Sequence, residues 1–176
     1  ASHTITEDGT LQISGTGSNV QRADDGKSFM LHQGTHPGDW EMTVKVLDYP
    51  RGPQGAKAGL MVRESGSAGA RYAAIAIAQQ NGRPALQVMF RKDAQTEPTS
   101  PCGSVPVPGY LFDGNRSNGE GVYLRIAREG QTLTVGASQD GASWQTQSCM
   151  QHIFSEPALA DALLPGIWFA PNGAGR

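Results

Sequence analysis

Asn81-Gly82 stands between two apolar runs, at 71–79 and 84–91. Asn-Gly is the strongest two-residue turn signal, because both central residues take φ > 0 and so fix the pairing of the flanking strands. Pairing outward from this turn sets Ile75 opposite Val88, Ile77 opposite Leu86 and Ala73 opposite Phe90. The other face then carries Tyr72 with Arg91, Ala74 with Met89 and Ala76 with Gln87. A slip of one residue would turn the whole apolar set to water. Glu129-Gly130 predicts a second hairpin, with Ile126 facing Leu133, Leu124 facing Val135 and Val122 facing Ala137. Asp140-Gly141 predicts a third, which sets Trp144 opposite Ala137 on that same core face. The agreement among these faces predicts an all-β fold, a two-sheet antiparallel sandwich.

Further strands are expected at 11–14, 40–47, 58–64, 122–128, 131–138, 143–147 and 166–170. Residues 40–47 alternate, with Trp40, Met42, Val44 and Val46 on one face and Glu41, Thr43 and Lys45 on the other. Residues 157–163 form the one helix-like stretch, and a Pro/Ser/Gly-rich loop runs from 93 to about 120. Composition agrees with many short strands: the 176 residues include 23 Gly and 11 Pro, and only 17% are charged. Fourteen Lys and Arg against 16 Asp and Glu leave no basic footprint for nucleic acid. No apolar run approaches the roughly 18 residues of a membrane span. Residues 1–176 read as a single domain.

Cys102 and Cys149 match no zinc spacing. One disulfide is the simple reading and implies an oxidising compartment; two buried free thiols are the alternative. The pairing would anchor the long loop that carries Cys102. No signal peptide is visible at Ala1, as in a mature chain. Asn115-Arg116-Ser117 fits the glycosylation sequon, a triplet common by chance. His32 and His36 straddle Gly34 and precede Pro37, so no helix presents them together to a metal. No cofactor is expected beyond a structural calcium, for which Asp24, Asp25 and Asp113 are the loop carboxylates; plain turns are the competing reading.

The run Ala56-Lys57-Ala58-Gly59-Leu60-Met61-Val62-Arg63-Glu64-Ser65 resembles the signature of a bacterial family of concanavalin A-like jelly-roll domains. That family is related to the one named for regulation of enolase. Asp8 to Gly15, Gly38 to Val46, Tyr123 to Gly130 and Ser138 to Trp144 resemble its other strand and hairpin motifs, in the expected order. The resemblance covers residues 8 to 170. It implies a jelly roll of the concanavalin A-like lectin and glucanase type, appended to secreted bacterial carbohydrate-active or surface proteins. It also implies an accessory role in binding glycans or in adhesion, outside the cell or in the periplasm. The 93–120 loop is longer than in the family. The family's closing strand, after the equivalent of Asn172-Gly173, is not reached before Arg176, so an open sheet edge is expected, either because the chain was cut after Arg176 or because a partner or C-terminal segment supplies the strand.

Alternation places Met61 and Arg63, then Tyr72, Ala74, Ala76 and Ala78, then Gln87, Met89 and Arg91 on the face opposite the core. Small alanines flanked by longer side chains describe a groove floor, and the resemblance assigns glycans to the concave face. Arg63, Gln87 and Arg91 would hydrogen-bond hydroxyls, and Tyr72 would stack on a sugar ring. The competing reading pairs Arg63 and Arg91 with Glu64, Glu41 or a loop carboxylate, and covers the alanines with the long loop. Trp40 and Trp144 are in phase with core residues. Trp168, on the face opposite Ile167 and Phe169, is the tryptophan expected exposed or in the groove. Tyr110 and Phe112 either cap the groove or anchor their loop. Catalysis has one weak candidate, Glu64, for which no second carboxyl is found on the same face. The leading expectation is a non-catalytic glycan-binding or adhesive module. A hydrolase or lyase using Glu64, and a structural module completed by another segment, are the alternatives.

Overall fold

The computed structural model describes residues 2–15, 29–48, 54–107 and 121–171. Strands β1 (Ser2–Ile5) and β2 (Leu11–Ser14) form an outlying hairpin. The large sheet follows the order β3 (Phe29–His32), β13 (Ala162–Ala170), β6 (Lys57–Arg63), β7 (Tyr72–Gln80), β8 (Arg83–Arg91) and β9 (Ser104–Val105). Short β4 (His36–Pro37) also pairs with β13. The small sheet has the order β12 (Gln151–Ile153), β11 (Thr132–Ser138), β10 (Val122–Glu129) and β5 (Trp40–Val46). Every pairing is antiparallel, and the two sheets make a jelly-roll sandwich.

The core lies between the sheets. Leu60, Val62, Ala73, Ile75, Ile77, Leu86, Val88 and Phe90 meet Leu124, Ile126, Leu133, Val135 and Ala137. Each buried Leu, Ile, Val or Phe contributes roughly 1.5–3 kcal/mol, which is why the period-two pattern dictates the fold. The Asn81-Gly82 hairpin pairs as its sequence predicts, from Gln80 with Arg83 out to Tyr72 with Arg91. Asn81 and Gly82 take φ +50° and +76°, the two left-handed residues this turn requires. Trp40, Met42, Val44 and Val46 pack on the core, as their alternation predicts.

Four expectations are corrected. In the second hairpin Ile126 pairs with Val135 and Leu124 with Ala137, not with Leu133 and Val135. The turn residues are Gly130 and Gln131, and Gly130 takes φ +56°. Glycine at the first central position suits this turn, whereas Glu129 there would resist φ > 0. The shift of two along β11 keeps both apolar sets on the core face. In the third hairpin Gln145, not Trp144, stands opposite Ala137, with Gln145 N–H donating to Ala137 O over 2.8 Å. The loop is one residue longer because the Asp140 carboxylate accepts N–H bonds from Ala142 and Ser143 at 2.8 and 2.7 Å. A shift of one flips the face, so Trp144 lies outside the core, with the Arg125 guanidinium 4.5 Å from its ring.

The third correction concerns 143–147, which holds one isolated bridge rather than a strand. It leads into the short 3-10 turn Ser148–Met150. Fourth, 157–163 is not helical. Its backbone groups are claimed singly by side chains: Arg71 donates to Pro157 O and Ala158 O, Gln131 Oε1 accepts from Leu159 N, and Glu64 Oε1 accepts from Ala160 N. Strand β13 begins directly afterwards, four residues earlier than expected.

Candidate functional site

The face of the large sheet turned away from the core is built from four registered rows. Leu164, Arg63, Tyr72 and Arg91 lie across one row; Gly166, Met61, Ala74 and Met89 across the next. Trp168, Gly59, Ala76 and Gln87 make the third; Ala170, Lys57, Ala78 and Ala85 make the fourth. All seven expected ligand residues, Met61, Arg63, Tyr72, Gln87, Met89, Arg91 and Trp168, therefore share one face. Strand alternation alone brings them together.

The rows show why the floor is small. A Cβ on Gly59 would stand 2.1 Å from Ile75 O, and one on Gly166 would stand 2.4 Å from Leu31 O. With Ala74, Ala76 and Ala78 on the central strand, Tyr72 is the one long side chain that β7 adds to these four rows.

Arg63 and Arg91 flank Tyr72, their guanidinium carbons 6.0 and 4.9 Å from its ring centroid. Arg63 donates to Ser65 O at 3.1 Å and Ser67 O at 2.7 Å. Arg91 donates to Thr96 O at 2.9 Å and Ala70 O at 3.3 Å. At the other end Lys57 Nζ donates to Gln87 Oε1 at 2.5 Å, and Gln87 Nε2 reaches Ser100 Oγ at 3.4 Å. Trp168 Nε1 is buried and has no hydrogen-bond partner among the described residues.

The face is closed rather than open. Arg91 and Trp168 are 0% exposed, Tyr72 1%, and Arg63 and Gln87 8%. Trp168 is thus a face residue, as expected, but buried. Gln87 adjoins exposed Ser100 and Ser104, so its side of the face borders solvent.

Lys57 is the residue that sequence reading missed. It is 2% exposed, and burial lowers its pKa to about 8 from 10.5. Its signal was available: Lys57 is in phase with Met61 and Arg63 along β6, inside the family-like run.

Glu64 lies outside this face. Its carboxylate pairs with both nitrogens of the Arg71 fork, with Nε at 2.7 Å, and accepts from Ala160 N at 3.1 Å. Glu41 pairs with Arg125 at 3.3 Å. Neither carboxylate meets Arg63 or Arg91. Cys102 and Cys149 form the expected disulfide, Cα to Cα 5.2 Å, and tie the loop before β9 to the turn before β12. Asp24, Asp25, Asp113, Tyr110, Phe112 and Asn115 lie outside the described residues, as do Asn172 and Gly173. Among the described residues no three His, Cys, Asp or Glu side chains cluster as a metal site. No described helix is long and apolar enough to cross a membrane.

Residues 2–159 match the family model of the β-xylosidase C-terminal concanavalin A-like domain. The chain belongs to that family. Solved structures with this concanavalin A-like architecture include a functionally unknown protein from Saccharomyces cerevisiae, with TM-score 0.60 and 18% identity over 81% of this chain. A GH43 protein from Bacillus licheniformis gives TM-score 0.57 and 14% identity over 91% of the chain. The "Xyloglucan PUL GH43B" protein of Bacteroides ovatus gives 0.57 and 15% over 97%. The chain spans 65%, 29% and 31% of those three proteins, respectively. Identities this low speak for the shared fold alone. No curated protein sequence matches the chain.

Proposed function

We propose that this concanavalin A-like domain is a non-catalytic glycan-binding module of a secreted bacterial protein, residues 1–176 acting as one jelly-roll unit. The observation that carries this reading is the outer face of the large sheet. Two aromatic rings, Tyr72 and Trp168, and four polar heads, Lys57, Arg63, Gln87 and Arg91, converge there over an alanine and glycine floor. Rings that stack and donors that meet hydroxyls are what sugar recognition uses. Membership of a family of β-xylosidase C-terminal domains favours a glycan as ligand. The disulfide favours an oxidising compartment. We also infer from the Ala56 to Ser65 run a kinship with the family named for regulation of enolase. The ion pair that holds Glu64 favours a structural role for that carboxylate over an acid-base one.

The second reading is a structural module whose outer face is covered by a partner or a C-terminal segment. The burial of Arg91, Tyr72 and Trp168 favours it.

A glycan array on the purified chain, with Gln87→Ala beside it, separates the two. Binding of a defined glycan that Gln87→Ala weakens supports the module. Silence across the array overturns it in favour of the covered face.

A further inference from the structure

Lys57 stands diagonally across from Trp168 on the neighbouring strand and reaches Gln87 at the far end of the tryptophan's row, and among the described residues this corner of the face holds more donors than acceptors. An ammonium has three N–H bonds to place. Among the described residues Lys57 gives one of them to Gln87 Oε1. The indole N–H of Trp168 is buried with no acceptor among the described residues. The row that runs from Trp168 through Gly59 and Ala76 to Gln87 carries only a methyl group between its two large ends. Lys57 stands in the adjoining row, on the same strand as Gly59. Strands β6, β7, β8 and β13 contain no Asp or Glu at all, so the sheet itself offers this lysine no counter-ion. Buried charge and buried unpaired donors are both unfavourable, and an acceptor of negative charge that bridged the two groups would relieve both.

We propose that this corner receives the carboxylate of an acidic sugar, a uronate, with Lys57 supplying the charge and Trp168 Nε1 a hydrogen bond. This rests on the reading of the outer face as a glycan site. Gln87 orients the ammonium through Oε1 and borders the solvent side at Ser100, where the rest of the sugar chain leaves. A neutral sugar hydroxyl would satisfy the indole but leave the ammonium uncompensated, so the corner discriminates by charge. The 2.1 Å contact that a Cβ on Gly59 would make with Ile75 O shows that position 59 excludes any larger residue.

Calorimetric titration of the intact chain with trigalacturonate, its methyl ester and xylotriose tests the assignment. The acid is expected to bind about tenfold or more tightly than the ester, the worth of a charge-assisted hydrogen bond. Lys57→Met should abolish that preference, and Trp168→Phe should weaken binding of the acid several-fold. Equal binding of acid and ester by the wild-type chain overturns the proposal without any variant. Binding of xylotriose alone also overturns it and leaves the glycan-module reading standing. If none of the three sugars binds, the carboxylate assignment is overturned, and the glycan array alone decides the glycan-module reading. If Lys57→Met keeps its thermal transition and still prefers the acid, another group reads the charge and the assignment to Lys57 is wrong.

Discussion

Glu64 and Arg71 close a two-pronged ion pair at the end of β6, their side chains 20% and 5% exposed, and together they grip the segment that enters β13. Arg71 spans from Glu64 to the carbonyls of Pro157 and Ala158 and lies 5.6 Å from the Phe154 ring. Breaking such a buried pair leaves an uncompensated charge and costs about 3–5 kcal/mol. Arg71→Ala should therefore lower the free energy of unfolding by that amount in urea denaturation. Arg71→Lys should recover little, because an ammonium cannot match both oxygens of the carboxylate. A loss below about 1 kcal/mol, the worth of an exposed pair, would show that the clamp is peripheral.

That clamp also shows where sequence reading stops. Residues 157–163 look helical by composition, yet Arg71, Glu64 and Gln131 take their backbone groups one at a time. These partners are 28 to 96 residues away in the chain, beyond any local pattern. The hairpins divide on the same principle. Asn81-Gly82 holds its register in its own two backbone angles, so it is legible. At Asp140 the register depends on a side chain that gathers the N–H groups of Ser143 and Ala142 and the Ser138 hydroxyl. The same bonds hold its carboxyl well below the usual carboxylate range, the Ser143 backbone first. The seven face residues were legible because alternation needs only parity. Their burial was not, since parity says nothing about what lies over a face. Lys57 stayed hidden because its strand begins one residue before the apolar run suggests.

Gly59 and Gly166 are expected to be intolerant of any side chain, for a reason of space rather than of backbone angle. At both, the obstructing atom is backbone: Ile75 O at 2.1 Å and Leu31 O at 2.4 Å from an added Cβ. Neither neighbour can rotate away, so Gly59→Ala and Gly166→Ala should each cost about 3 kcal/mol or more, the upper range for overpacking. Gly82→Ala is the control. It has φ +76° and open space around it, so its cost should stay near the 1–2 kcal/mol of a left-handed residue with a Cβ. Urea midpoints of the three variants check the order. Equal losses at all three would mean that the sheet spreads to admit a methyl group.

The disulfide should matter more than its place near a loop suggests. Cys102 and Cys149 are 47 residues apart. Closing a loop of that length restricts the unfolded chain by about 4 kcal/mol in the chain-entropy model. The bond also holds the segment before β9, whose Ser104 pairs with Gln87 at the edge of the candidate site. Replacing both cysteines by serine should lower the denaturant midpoint by an amount equivalent to about 4 kcal/mol. It should also raise amide exchange at 104–105 ahead of the central strands. Uniform exchange across the large sheet would show that β9 is held by its strand pairing alone.

Lys57 should leave a signature in stability against pH, with the same sign as a carboxylate of depressed pKa but in an alkaline window. Its pKa falls to about 8 in the folded chain from 10.5, through burial. The groups around it on the sheet are neutral: Gln87 on β8, Ala78 on β7 and Ala170 on β13. Arg63 and Arg91 lie at the far row. Below pH 8 both the folded and the unfolded chain hold the proton, and the folded chain carries the full penalty of a buried charge. Between 8 and 10.5 the unfolded chain holds a proton that the folded chain has released, so stability rises with pH. The gain over that window is on the order of 3 kcal/mol. Lys57→Met removes this titration and nothing else in the window. The stability of wild type minus that of Lys57→Met, measured in urea from pH 7.5 to 10.5, should climb by that amount. A flat difference would mean that the ammonium keeps its ordinary pKa and is solvated in the folded chain. Trigalacturonate should flatten the climb too, because a bound carboxylate returns the lysine pKa toward 10.5.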